Sequence, residues 1–249
     1  NNLGNVLHEQ AKRTAGEAGN SLLSESVAAY RAALEVYLRE TQPQDWAMTQ
    51  DNLGNVLHEQ AKRVSGEAGS QLLTAAVAAY RSALEVNTRD ALPQEWARTQ
   101  NNLGATLREQ AKRTPGQAGN TLLTESLAAY ELALTVRTRE ALPQDWATTQ
   151  NNIGFALHEQ AGRIQGEAQT KALTEATHAY RAALEVFTFE SHPLHWEKLQ
   201  ANLIRACAFL RDEGCLAEVL MKVRQRAPDN FGLYDELCWA YQDKLFDFV

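Results

Sequence analysis

The chain has 249 residues, 44% hydrophobic and 22% charged, with a formal net charge of −7; this is ordinary globular composition and excludes disordered and collagen-like classes. The negative balance, with no Lys/Arg run longer than a Lys-Arg pair, argues against nucleic acid, because neutralising phosphates takes a basic patch. No apolar run approaches the roughly 18–20 residues of a membrane-spanning helix and no leader-like segment opens the chain, so no membrane partner and a cytoplasmic location are expected.

The chain opens on Asn1-Asn2-Leu3-Gly4, a segment that returns as Asp51-Asn52-Leu53-Gly54 and again from Asn101 and Asn151. Asn1 falls inside a helix, lacks the Trp and Pro that precede its equivalents and is not a methionine. A fragment or processed product of something longer is therefore expected. The period is 50 residues without insertion: it aligns Trp46, Trp96, Trp146 and Trp196, and likewise Gly4, Gly54, Gly104 and Gly154. A fixed period in this range marks stacked supersecondary units, none of which buries its apolar face alone.

Within one unit, Trp46, Leu53, Leu57, Ala61 and Val64 share a helical stripe, and Leu73, Ala76, Val77, Tyr80, Ala83 and Leu84 share another. The spacing predicts helices over about 45–63 and 70–90, paired antiparallel. Between them lies Ser65-Gly66-Glu67-Ala68-Gly69, where Gly66 is expected to cap the first helix in a left-handed conformation and Ser70 to cap the second. Pro93 starts the next unit, with Glu95 suited to a helix N-terminus. The tryptophan column is expected in the core, with Trp96→Ala costing about 3–5 kcal/mol. No strict alternation occurs, so no sheet is expected. The units run over about 1–44, 45–94, 95–144, 145–194 and 195–228, with a capping helix over 229–249, as one solenoid. The three cysteines, Cys207, Cys215 and Cys238, match neither a metal knuckle nor a disulfide framework and are expected to be ordinary reduced, buried residues.

Leu53-Gly54 and Leu57, then Ala76, Tyr80 and Ala83, then Pro93 resemble the tetratricopeptide repeat, and the match recurs in the units from Asn1, Asn101 and Asn151. The family's basic period is 34 residues; the longer unit here is similar to those of kinesin light chain and of bacterial multidomain arrays. The resemblance implies an all-α, right-handed superhelix of antiparallel helix pairs. It also implies a concave groove lined by the first helix of each pair that binds a protein or peptide.

On that groove the leading candidates are Asn52, Asn102, Asn152 and Asn202, with Asn2 as a fifth. An amide both donates and accepts, so a column at one-repeat spacing can pair with the backbone of an extended peptide. The family likeness to kinesin light chain, whose groove asparagines hold peptide backbone, points the same way. The bland alternative is that each Asn bonds its neighbouring unit or water. Beside them run Asn55, Ala105 and Phe155, then His58, Arg108 and His158, and the variable Met48, Arg98, Thr148 and Lys198. Glu59 with Lys62, and Glu109 with Lys112, read as solvated helix-face pairs.

Enzyme readings fail one by one. His58-Glu59 lacks the second histidine of a zinc-protease helix. His8, His58 and His158 lie on different units, too far apart for one metal. The Gly66–Gly69 loop lacks a phosphate loop's Lys-Ser/Thr and follows no strand. His192, His195 and Trp196 fit a repeat junction. No catalytic residue, metal or cofactor is expected. A peptide- or protein-binding scaffold ranks first, and a regulatory or self-association arm of a larger effector second.

Overall fold

The computed structural model describes residues 1–227, together with Gly232 and Asp235. The expected capping helix and Cys238 lie outside these described residues. Among the described residues there are ten α-helices and no strand: α1 (Asn2–Arg13), α2 (Gly16–Val36), α3 (Pro43–Arg63), α4 (Gly66–Leu84), α5 (Pro93–Lys112), α6 (Gly116–Leu134), α7 (Pro143–Ala161), α8 (Glu167–Leu184), α9 (Pro193–Leu210) and α10 (Glu213–Arg226). The chain divides into two compact units, Asn1–Val136 and Arg137–Val249. In the first, each helix from α1 to α5 packs on the next; in the second, α7 packs on α8, α8 on α9 and α9 on α10. None of these helices is long and apolar enough to cross a membrane.

The helix boundaries follow from two residue types. A proline opens α3, α5, α7 and α9, where its missing N–H costs nothing and its fixed φ suits the first turn. Asp45, Glu95 and Asp145 follow within that turn and complement the dipole. The second helix of the pair starts earlier than expected, at Gly66 rather than Ser70. Gly66 does not cap α3. Val64 and Ser65 run extended, and Gly66 at φ +68° turns the chain so that α4 begins at once. Ser70 accordingly sits inside α4, its hydroxyl donating to the Gly66 carbonyl. α4 ends at Leu84, and 85–92 form tight turns in which Asn87 N–H donates to Ala83 O and Leu92 N–H to Thr88 O.

The first four pairs each close on a glycine set against a tyrosine. A Cβ on Gly54 would stand 2.8 Å from the Tyr80 ring, and one on Gly104 would stand 2.8 Å from Tyr130. Tyr30, Tyr80, Tyr130 and Tyr180 are the largest fully buried side chains among the described residues. The core of the first unit joins Tyr30 and Tyr80 to Leu23, Leu57, Val56 and Leu107.

The tryptophans are not in that core. Trp46, Trp96 and Trp146 are half-buried; among the described tryptophans only Trp196 is buried. The fully enclosed position is the next one, Ala47, Ala97 and Ala147. Each half-buried ring is the fourth residue of its helix, and guanidinium groups from the preceding turn cover two of them: Arg39 lies 5.6 Å from the Trp46 ring centre and Arg139 lies 5.8 Å from that of Trp146.

Adjacent pairs are tied by arginines. Arg63, the last residue of α3, donates to the carbonyls of Ala11 at 2.8 Å and Thr14 at 3.2 Å, the open C-terminal end of α1. Arg113 repeats this on Ala61 at 2.7 Å and Val64 at 2.9 Å. The second glycine of each loop makes room: a Cβ on Gly69 would collide with both the Arg113 guanidinium and the Val64 carbonyl. In the second unit the arginine column continues at Arg163 but position 213, the one due to reach back to Ala161, is Glu213, and the loop glycine becomes Gln169. Gln169 Nε2 then donates to the Ala161 carbonyl at 3.0 Å, supplying locally what the missing arginine would have supplied.

The cysteine expectation is corrected here. Cys207 and Cys215 are joined in a disulfide, with Cα atoms 5.9 Å apart. Arg211, at φ 55°, ends α9 and Asp212 caps α10, accepting from Cys215 N–H at 2.9 Å. That short left-handed turn folds α10 back on α9 and brings together two residues whose spacing along the chain looks unremarkable.

Candidate functional site

The first helices of the first unit, α1, α3 and α5, line a groove of about 530 Å3. It brings together five of the expected residues: Asn52, Asn55 and His58 from α3, and Arg98 and Asn102 from α5. Asn5, His8, Glu9 and Lys12 of α1 and Tyr80 of α4 complete it with Glu59, Lys62 and Ala105.

Its floor is a chain of hydrogen bonds that begins at a buried charge. Asp51 is 0% exposed, and a carboxylate there requires donors on its oxygens. Arg98 lies 2.7 Å from its Oδ2, Thr99 Oγ1 donates to its Oδ1 at 2.7 Å, and Asn55 Nδ2 donates at 3.1 Å. Asn55 Oδ1 in turn accepts from Tyr80 O–H at 2.9 Å and from Asn102 Nδ2 at 3.0 Å. In α1 the same position, Asn5, accepts from Tyr30 O–H at 2.5 Å. Burial pushes the Tyr30 hydroxyl up to about 12 and raises the Tyr80 hydroxyl well above the ordinary tyrosine value, so both remain donors.

The asparagine column is thus divided. Asn102 spends one N–H on Asn55. In the second unit Asn202 is 7% exposed and donates to Asn151 Oδ1 at 3.2 Å. Asn52 is half-buried, lines the groove, and its side-chain amide has no hydrogen-bond partner among the described residues.

His58 lies 2.9 Å from Thr106 Oγ1 through its Nδ1. Burial, reinforced by Lys62, Arg108 and Arg113, lowers its pKa to about 3, so the ring is neutral at physiological pH. His8 is lowered by burial and by Lys12. The groove's flexible charges cancel locally, Lys12 on Glu9 at 2.6 Å and Lys62 on Glu59 at 3.3 Å. The surface left over is neutral amide and imidazole.

The remaining candidates lie elsewhere. Arg108 is half-buried on α5, one repeat on from His58, and does not line the groove. In the second unit Asn152 is half-buried on α7, Phe155 packs edge-on against Tyr180 with centroids 6.0 Å apart, and His158 packs edge-on against Phe209 at 5.2 Å. Burial and Arg205 lower the His158 pKa. A cavity of about 250 Å3 in this unit is lined by Thr148, Asn151, Phe187, His195, Lys198 and Leu199. His195 stacks on Phe187 at 4.6 Å, which explains the local histidine cluster.

Two features escaped sequence reasoning. Asp51 is the one acid at a position otherwise held by Asn1, Asn101, Asn151 and Ala201, and that departure was its signal. The other is position 87, which reads Tyr37, Asn87, Arg137 and Phe187 while the preceding residue is always Val. Neither a protein-family model nor a curated protein sequence matches this chain.

Proposed function

We propose that this chain is a protein- or peptide-binding scaffold of tetratricopeptide type, its helix pairs coiled in the right-handed sense, holding an extended segment along the first helices. The observation that carries this reading is the open amide of Asn52 in a groove whose neighbouring amides are pinned by Tyr80, Asp51 and Asn55. A pinned amide row presents fixed donors and acceptors to a peptide backbone at little entropic cost on binding. The affinity then depends weakly on the ligand's side chains.

The test is selection of binders from a displayed random-peptide library, followed by Asn52→Ala. Loss of one hydrogen bond weakens the selected peptides about 5- to 30-fold. Selected peptides whose affinity ignores Asn52→Ala would place binding elsewhere. Asn102→Ala is the companion variant, expected to lose both binding and stability because it also breaks the bond to Asn55.

Self-association, as an arm of a larger effector, is the second reading. It is favoured by Leu3 and Val6 of α1, which are 64% and 54% exposed, whereas Leu53 and Val56 are 7% and 0%. Light scattering separates the two: a monodisperse 27.7 kDa species counts against self-association, and a concentration-dependent dimer counts against the simple groove.

A further inference from the structure

We infer that a second cavity in the first unit is the specificity pocket of this groove and takes a cationic side chain, arginine or lysine, from the bound segment. The inference rests on the groove reading and goes further by naming the chemistry recognised. The cavity is about 430 Å3, shares Asn5, Asn52 and Arg98 with the groove, and extends it past Met48 and Leu92 to Asn87, Asp45 and Glu95.

Asn87 is only 4% exposed, yet its side-chain amide has no hydrogen-bond partner among the described residues. That amide lines the cavity, where its Oδ1 is free to accept from an arriving donor. The charge around it is unbalanced in the same direction. Arg98 is the cavity's guanidinium, and it is shared by Glu95, with Arg98 Nε 3.0 Å from the carboxylate, and by Asp51 at 2.7 Å. Asp45 has no ion pair among the described residues, so two carboxylates of the lining, Asp45 and Glu95, meet one guanidinium that the buried Asp51 also engages. Met48 and Leu92 supply the apolar surface along which the stem of a long cationic side chain lies.

The chain shows, one repeat further on, that a guanidinium fits such a place. Arg137 occupies the position equivalent to Asn87 and is 6% exposed. Its guanidinium lies 3.8 Å from Asp145, the equivalent of Glu95, and donates to Thr149, the equivalent of Thr99, at 3.2 Å. Where the chain carries Arg137 it fills the site itself. Where it carries the short Asn87, the acidic wall remains and a ligand supplies the cation. The same position is Tyr37 and Phe187 in the other repeats, so each presents a different chemistry on a fixed backbone.

The experiment uses the full 249-residue chain and a positional-scanning library of amidated hexapeptides, read by mass spectrometry after capture. Arginine or lysine at one position is expected to be enriched about 10-fold over glutamine, the size of one charge-assisted contact. Asn87→Arg, which installs the residue the next repeat already tolerates, abolishes the enrichment while the remaining positions still bind. Asp45→Asn, a substitution on a half-buried surface that leaves the core untouched, lowers it about threefold. Peptides that bind and respond to Asn52→Ala, but show no basic preference or keep it in both variants, overturn this inference and leave the groove reading standing. Absence of any bound peptide overturns both.

Discussion

Gly54 has internal controls at Gly4, Gly104 and Gly154, each of which would drive a Cβ into a tyrosine ring. Gly54→Ala is therefore expected to destabilise by about 1–3 kcal/mol through overpacking, measured by urea melting, and Tyr80→Leu in the same chain should restore part of the loss. This glycine and its tyrosine were legible from the period alone, because close approach is written as the pairing of the smallest residue with a large aromatic. His58 makes a pH prediction. Its folded-state pKa of about 3 lies below the unfolded value near 6.5, so the unfolded chain binds the extra proton first. Stability is full above pH 6.5 and falls on acidification, by up to ~1.4 kcal/mol per pH unit from this group, with His8 and His158 acting in the same sense. Urea midpoints at pH 7 and pH 5 should differ less in His58→Gln; an unchanged difference would show that the ring is not what senses pH. That His58 is neutral could not be read from the sequence, since the burial that sets it comes from Thr106 and its neighbours on the next repeat.

Beyond the core, adjacent helix pairs are also tied at their ends by arginines. Arg113→Ala leaves the Ala61 and Val64 carbonyls without their guanidinium donors and is expected to cost roughly 2 kcal/mol. Arg13 occupies the same column but makes no hydrogen bond or ion pair among the described residues, so Arg13→Ala should change stability by less than about 0.5 kcal/mol. Equal losses in the two variants would show that the arginine column acts through helix propensity instead of through the clamp. Trp96→Ala is revised to about 2–3 kcal/mol, because the ring is half-buried and the alanine beside it holds the enclosed position. Element type and pairing were legible in the hydrophobic stripes and in Pro93. The start of α4 was not, because a Gly-Glu-Ala-Gly run reads as loop by composition, whereas here Gly66 serves a single positive φ and Gly69 serves the passage of Arg113. The cysteine pairing was hidden for a related reason: it depends on a turn at Arg211 that only a positive φ at a non-glycine residue reveals.

Stability in a stacked array is a sum of unit and junction contributions, so it should be uneven along the first unit. α3 is covered by α2, α4 and α5, while α1 leaves Leu3 and Val6 exposed. Hydrogen exchange is expected to be at least about tenfold faster for the amides of α1 than for those of α3; uniform protection would mean that the unit opens only as a whole. At this scale the period announced the architecture, while the groove and the pocket beside it were only half visible. The asparagine column was legible because it repeats. The pocket chemistry was not, because it sits where repeats differ and is completed by residues from three helices.

The clamp has a consequence for how such a chain can change its length. Arg63 and Arg113 each reach back to the end of the helix one period earlier, and each finds the same alanine carbonyl and a glycine that lets it through. A duplicate of residues 51–100 placed after position 100 would meet complementary partners on both sides, without a new residue being designed. Array length is in this sense a free parameter of the chain, and position 87 of every added copy is a blank on which a new preference can be written.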